Sequence, residues 1–328
     1  MYFLEIIIPQ YKESEKIVSN LLNSIGRQKK VNFDDIKITI INDASDVLLD
    51  NKFLNSYKNL NIEYKRNEKN LGQSLTEQRG IDESKAKYVM FVDSDDELYS
   101  DNSLAPIISI LKESKPNILC ASMLQENMVN DQLISTPVSF NQLRTLHGVF
   151  IKRKYLIEND IRFSTKLRYY EDTYMVTILA SRNNYKVINN IVYVWKYNDQ
   201  SKTLAKNKYD VSVRHFIDML NSYKGVYEYF CKYNINNKEI YFAQQIVELS
   251  LIVTSSYFDF PELKEEQEKY EKLVYEWYLD NKGVIEKIGN IMFDKIIKYQ
   301  TKDLLSYYKN IKLNMDFYGF INMMENKK

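Results

Sequence analysis

At 328 residues and 39.1 kDa the chain exceeds one typical compact domain, so it should hold one large domain with an appendage, or two domains. A composition of 45% hydrophobic and 27% charged residues excludes wholesale disorder, and 8 Gly with 5 Pro exclude collagen-like, linker-like and mucin-like chains. Forty-five basic against 44 acidic residues leave a formal charge of +1, which lacks the electrostatic footprint of a general nucleic-acid binder.

Phe3 to Ile8 is a near-continuous apolar run closed by Pro9, as a buried parallel strand reads. Glu13 to Gln28 then carries Ile17, Leu21, Leu22 and Ile25 on one helical face. A β-branched run, Ile36 to Ile41, ends at Asn42-Asp43, and helical spacing follows through Tyr57. Asn61 to Lys65 reads as a third strand, Leu71 to Ser84 as a helix, and Tyr88 to Val92 as a fourth strand. Strands alternating with helices of roughly 10–15 residues predict βαβ units and a mostly parallel sheet.

After Ala205 the texture changes. Val213, Phe216, Ile217, Leu220, Tyr223, Tyr227 and Phe230 recur at helical spacing, as do Leu263, Tyr270, Leu273, Val274 and Trp277, and then Ile285, Ile288, Met292 and Ile296. The chain is therefore read as an α/β domain over 1–205 and an all-helical domain over 206–328. The second holds 14 of the 27 tyrosines, read as helix-face residues with the hydroxyl at the rim. Cys120 and Cys231 are too few for a disulfide framework or a CxxC zinc site, and their apolar or aromatic neighbours mark both as small buried hydrophobes. Glu5 and Pro9 interrupt the first apolar run with no basic segment before it, so no secretory signal is read. No window approaches the roughly 20 apolar residues of a membrane span, and the protein is expected in the cytoplasm.

In open α/β sheets, ligands bind beyond the carboxyl ends of the strands. Every predicted strand end here is polar: Pro9-Gln10-Tyr11-Lys12-Glu13, Asn42-Asp43-Ala44-Ser45-Asp46, Arg66 with Asn70-Leu71-Gly72-Gln73-Ser74, and Asp93-Ser94-Asp95-Asp96. Asp93 and Asp95 lie two apart on extended chain, so they point to one side and repel unless a cation sits between them. A divalent ion with oxygen ligands, Mg²⁺ or Mn²⁺, bridging a substrate diphosphate answers that repulsion. Alone, the pattern reads equally as a solvated turn with Asp96 or Ser100 capping the next helix; its place at the sheet edge favours the functional reading. The first strand is not followed by G-x-G-x-x-G, which argues against a dinucleotide-dependent oxidoreductase.

These segments resemble a family. Ile6-Ile7-Ile8-Pro9-Gln10-Tyr11-Lys12-Glu13 is similar to the I-I-I-P-x-Y-N-E opening of inverting family 2 glycosyltransferases, and Ile40-Ile41-Asn42-Asp43-Ala44-Ser45 to their I-V-D-D-G-S. Asn70-Leu71-Gly72 with Arg79-Gly80-Ile81 resembles N-x-G…A-R-N-x-G-I, and Phe91 to Asp96 resembles F-L-D-S-D-D. Lys12, Asn42, Ala44 and Gln78-Arg79 depart from the pattern. Further on, Gly148 to Arg153 resembles G-K-L-Y-R-R, Phe163 to Asp172 the R-F-x-x-x-x-x-Y-E-D segment, and Tyr197 to Ser201 the late Y-R-x-x-x-x-S segment.

The resemblance implies a GT-A fold, Rossmann-like with a mostly parallel sheet, and a metal-dependent inverting transfer of a hexose, galactose or glucose first, from a UDP-sugar to a glycan or glycoprotein hydroxyl. It implies Asp172 as general base with Glu171 beside it, and Mn²⁺ or Mg²⁺ on Asp95 and Asp93. His147, at the border between donor and acceptor regions, reads either as a contact to acceptor, diphosphate or metal or as a hydrogen-bonded interior or rim histidine. Donor contacts are implied for Pro9, Tyr11, Glu13, Asp43, Asn70, Gly72, Asp93, Ser94, Asp95 and Ser201, and for Arg79, which reads otherwise as a simple salt bridge. Lys202, with Lys206 in the polar segment 198–208, reads either as folding over a diphosphate or as part of a solvated charged loop. A soluble two-domain chain of this kind resembles the cytoplasmic transferases that glycosylate serine-rich adhesins and also those that build capsule or teichoic-acid glycans; capsule enzymes would work on lipid-linked acceptors, which implies peripheral membrane contact. The competing expectation is a catalytically silent sugar- or nucleotide-binding module on the same fold. His215 reads as a surface-helix residue.

Overall fold

A computed structural model of the chain describes residues 1–139, 142–198, 208–259, 261–307 and 310–327, with backbone only for 208–214 and 261. The chain forms two compact units, Met1–Leu204 and Ala205–Lys328.

The first unit runs β1 (Leu4–Gln10), α1 (Glu15–Gly26), β2 (Ile36–Asn42), α2 (Asn51–Asn55), β3 (Asn61–Arg66), α3 (Gln73–Glu83), β4 (Tyr88–Phe91), β5 (Glu97–Leu98), α4 (Leu104–Glu113), β6 (Ile118–Val129), β7 (Gln132–Val138), β8 (Val149–Lys152), α5 (Arg153–Glu158), α6 (Glu171–Ser181) and β9 (Tyr185–Trp195). The sheet order is β3-β2-β1-β4-β8-β6-β9-β5, with β7 paired to β6. Strands β3, β2, β1 and β4 are parallel, so their polar carboxyl ends share one edge. Beyond them β8 runs antiparallel between β4 and β6, and β6 pairs parallel with β9. This is the predicted α/β sheet.

Strand β1 is buried throughout except for the half-buried Pro9, which explains its unbroken apolar run. Its one acid, Glu5, is held inside by Thr39 Oγ1 at 2.5 Å, Ser84 Oγ at 2.6 Å and Lys37 Nζ at 3.3 Å. On α1 the buried face is Val18, Leu21, Leu22 and Ile25, whereas the predicted Ile17 is 39% exposed. At about 100° per residue Val18 lies at the centre of that arc and Ile17 beyond its edge. Helix α3 crosses β1 at Gly80, where an added Cβ would lie 2.5 Å from Ile7 Cγ2. Gly80→Ala should therefore lower stability by about 1–3 kcal/mol through overpacking. Urea unfolding checks this, and an unchanged midpoint would refute the close approach.

The second unit is all helix: α7 (Lys208–Lys232), α8 (Lys238–Val253), α9 (Lys264–Asp280), α10 (Lys282–Ile288), α11 (Asn290–Tyr307) and α12 (Phe317–Asn326). Helix α8 is apolar around most of its circumference because α7, α9, α10, α11 and α12 all pack on it. Phe216, Tyr227, Phe230, Tyr270, Val274, Trp277 and Ile296 are buried as their spacing predicts. Met292 is not: it is 47% exposed, because Gly289 at φ +80° ends α10 and a new helix starts at Asn290, out of phase with the stripe. Cys120 is buried but Cys231 is exposed, contrary to its aromatic neighbourhood in sequence. His215 is half-buried, and desolvation lowers its pKa against the charge of Asp218. No helix among the described residues is long and apolar enough to cross a membrane.

Candidate active site

The polar segments after β1 and β2 are tied into one rim. Asn42, fully buried, donates to Gln10 Oε1 at 2.5 Å and to the Val47 carbonyl at 2.9 Å, and accepts from Ser45 N at 2.8 Å. Asp43 is also buried. Its carboxylate accepts from Asn67 Nδ2 at 2.7 Å, Leu71 N at 2.7 Å and Gly72 N at 2.8 Å, which pins the Asn70–Gly72 turn to β2. Gly72 sits at φ +85°, a conformation that a side chain would strain. Pro9 is half-buried, whereas Tyr11 and Asn70 are exposed. Tyr11 N donates to Glu13 Oε2 at 2.6 Å; burial raises the Glu13 pKa, with Ser94 and Asp95 among its electrostatic neighbours.

A carboxylate cluster lies beyond β4. Among the described residues, one oxygen each of Asp93 and Asp96 and one ring nitrogen of His147 lie within 4.8 Å of one another, and His147 Nε2 is 3.5 Å from Asp93 Oδ2. The His147 ring is held by Thr145 Oγ1 on Nδ1 at 3.0 Å and packs against Tyr193 and Trp195, with centroids at 4.9 and 5.2 Å. Burial disfavours its imidazolium, but Asp93, Asp172 and Asp96 outweigh that and raise its pKa. Asp96 accepts from the Tyr193 hydroxyl and from Lys196 N; it caps no helix, since β5 follows it. Asp95 accepts from Asn198 Nδ2 at 2.8 Å, while Ser94 is buried.

Asp172 and Glu171 occupy the first turn of α6, where the helix dipole favours a carboxylate. Burial pushes the Asp172 pKa up to about 6; His147 opposes that shift and Asp93 adds to it. From α3, Glu77 comes within the field of the same group. It is 2% exposed, and Oε2 is the single buried side-chain polar atom without a hydrogen-bond partner among the described residues. Burial first, then Asp172 and Asp93, push its carboxyl well above the ordinary range. Gln73 Nε2 spans the two, 2.8 Å from Asp93 Oδ1 and 3.3 Å from Glu77 Oε1. Four carboxyl groups with one imidazole, one oxygen of them orphaned, are a site short of positive charge. Carboxylates with an imidazole are a donor set that fits a divalent ion, Mn²⁺ better than Mg²⁺.

Residues 5–172 match the sequence profile of glycosyl transferase family 2. The chain belongs to this family. It is 26% identical over 250 residues, 69% of this chain and 72% of the relative, to the poly(ribitol-phosphate) β-N-acetylglucosaminyltransferase TarP of Staphylococcus aureus strain N315. The crystal structure of residues 1–349 of S. aureus TarS in complex with UDP-GlcNAc superposes with a TM-score of 0.62 at 19% identity, covering 87% of this chain and 82% of that one. The TarS complex with UDP gives 0.52 at 19% identity, covering 85% and 92%. The GT-A architecture of the first unit, with helices following, and glycosyltransferase activity thus stand.

The family's motifs explain several local conformations. Its Asn and Gly positions are left-handed in this chain, Lys12 at φ +74° and Ala44 at φ +56°, strained choices for non-glycine residues. In A-R-N-x-G the arginine precedes the glycine by three residues, which in this family 2 chain is the place of Glu77, not Arg79. Arg79 pairs with Glu83 at 2.7 Å and donates to the Arg66 carbonyl and Asn67 Oδ1, at the Asp43 end of the rim, while Glu77 joins the cluster. Gln78 Oε1 accepts from Phe163 N at 2.9 Å and Arg153 donates to the Ile81 carbonyl at 2.7 Å, so both later motifs dock on α3. Ser201, Lys202 and Lys206 lie outside the described residues. Glu77, Tyr193 and Trp195 escaped the sequence reading, and Gln73 entered it only as part of a polar strand end; the motif register at Glu77 carried a usable signal.

Proposed function

We propose that the protein transfers a sugar from a UDP-sugar, with inversion, to a hydroxyl of a polyol-phosphate or related glycan acceptor, N-acetylglucosamine being the first donor to test. The observation that carries the reading is the group formed by Asp93, Asp96, His147 and Asp172 beyond the carboxyl ends of the parallel strands, on a family 2 sheet. The likeness to TarP supports the sugar and acceptor class, and the TarS complexes support the uridine nucleotide. Galactose and glucose are the donors ranked next.

In this mechanism Asp172 takes the proton of the acceptor hydroxyl as the acceptor oxygen attacks the anomeric carbon, and the UDP diphosphate leaves from the opposite face. A divalent cation on Asp93, Asp96 and His147, with Asp95 beside them, would offset the charge of the departing diphosphate. Pro9 and Tyr11 line the nucleoside end, Asp43 fixes the Asn70–Gly72 turn there, and His147 stays oriented by Thr145.

The test is UDP release from UDP-GlcNAc, UDP-galactose and UDP-glucose with Mn²⁺, with and without poly(ribitol phosphate). The expected result is UDP-GlcNAc turnover accelerated by the polymer. Faster turnover of a hexose donor would move the donor assignment. Release from none of the three, with or without acceptor, would leave a silent sugar-binding module.

A further inference from the structure

We propose that the exposed face of α11, with the end of α10, is a docking surface for an anionic lipid bilayer. Helix α11 leaves Ile291 79%, Met292 47%, Tyr299 61% and Leu305 45% exposed, although Phe293, Ile296 and Leu304 on its other side are buried. At about 100° per residue the four exposed apolar positions and Lys295, Lys298 and Lys302 share one arc of about 140°. The α11 acids, Asp294 and Asp303, fall on its two borders, and Asp294 is engaged by the Tyr318 hydroxyl at 2.7 Å. Among the described residues none of the three lysines makes an ion pair. At the head of this face Ile288, Gly289, Asn290, Ile291, Met292 and Lys295 line a groove of about 330 Å³. The Gly289 break adds to this surface, because the new helix that starts beyond it leaves Met292 out of phase with the buried stripe.

Interleaved lysines and apolar side chains on one exposed helix face match the boundary between headgroups and acyl chains. The ammonium groups meet phosphate, the apolar groups enter beneath it, and Tyr299 suits the headgroup level. Charge argues against a second copy of this chain as occupant. A two-fold contact through this face would set the three lysines against their own counterparts with no acid in the arc to receive them. Placement on a bilayer would bring the enzyme to acceptors grown there, though the surface does not depend on the donor assignment.

The test uses the full chain in co-sedimentation with vesicles of phosphatidylcholine alone and of phosphatidylcholine mixed with phosphatidylglycerol. Binding is expected only to the mixed vesicles, weakening as salt rises, with about a five-fold loss of partitioning for each lysine removed. Lys295→Glu/Lys298→Glu/Lys302→Glu should therefore abolish it while leaving the thermal midpoint and UDP-sugar turnover in solution unchanged. Ile291→Asp should weaken binding that remains at high salt. Absence of binding to anionic vesicles, or binding indifferent to the lysine variant, overturns the proposal. So does self-association in analytical ultracentrifugation that Ile291→Asp abolishes, which would make the face a contact between copies. Salt-sensitive vesicle binding by a full chain that turns over no UDP-sugar would count against the transferase reading alone.

Discussion

Asp172→Asn is expected to lower kcat by about 10²–10⁴-fold while UDP-sugar binding persists, because the amide keeps the shape and loses only the proton acceptor. The pH profile makes the assignment sharper. Burial, partly opposed by His147 and reinforced by Asp93, raises the carboxyl pKa to about 6. A base acts ionised, so activity should be full above that pKa and fall as pH drops through it. A bound cation favours the ionised form, so with saturating Mn²⁺ the acidic limb should move to lower pH. The variant should lose the limb altogether. Initial rates of UDP release across pH, with calorimetry for donor affinity, decide the matter. An unchanged kcat would shift the base to Glu171, and a limb surviving in Asp172→Asn would place the titrating group elsewhere.

The strands of the first sheet were legible because a strand buried on both faces has no choice of residue. Leu4–Gln10 and Ile36–Asn42 are largely apolar up to their last residues, Gln10 and Asn42, and polar beyond. The same contrast located the site. Helix α3 resisted reading for the opposite reason: its buried positions include Ser74, Thr76, Glu77 and Gln78, so polarity did not report exposure there. Glu77 looks like any surface glutamate until the neighbouring Asp93 and Asp172 are in place. Tyr193 and Trp195, about a hundred residues past Asp93, reach His147 through the β8–β6 and β6–β9 pairings, which no local period encodes. In the helical unit the described stripe positions within one helix are buried or half-buried, and the pattern failed at Met292, past the Gly289 break.

Asp95 and Asp96 are adjacent acids with different structural duties, and their asparagine variants should separate cleanly. Asp96 is 2% exposed, and its two oxygens receive the Tyr193 hydroxyl and Lys196 N, fastening β9 to the segment after β4. Asparagine keeps one acceptor oxygen and brings an NH₂ to a place where both neighbours donate. One donor is left unsatisfied, a loss of about 1–3 kcal/mol, read as a fall of several degrees in the thermal midpoint. Because Asp96 also stands in the group with Asp93 and His147, cation affinity should fall as well. Asp95 is half-buried and holds Asn198 Nδ2. Asp95→Asn should keep the thermal midpoint and lose most Mn²⁺-dependent UDP affinity, since it removes a carboxylate charge next to Asp96 that would help hold a divalent ion, and nothing that fastens the sheet. Calorimetry of UDP with and without Mn²⁺, paired with thermal unfolding, reads both. If Asp95→Asn keeps its Mn²⁺-dependent affinity while Asp96→Asn loses it at unchanged midpoint, then Asp93, Asp96 and His147 hold the ion without Asp95, and the D-x-D reading of this chain is wrong.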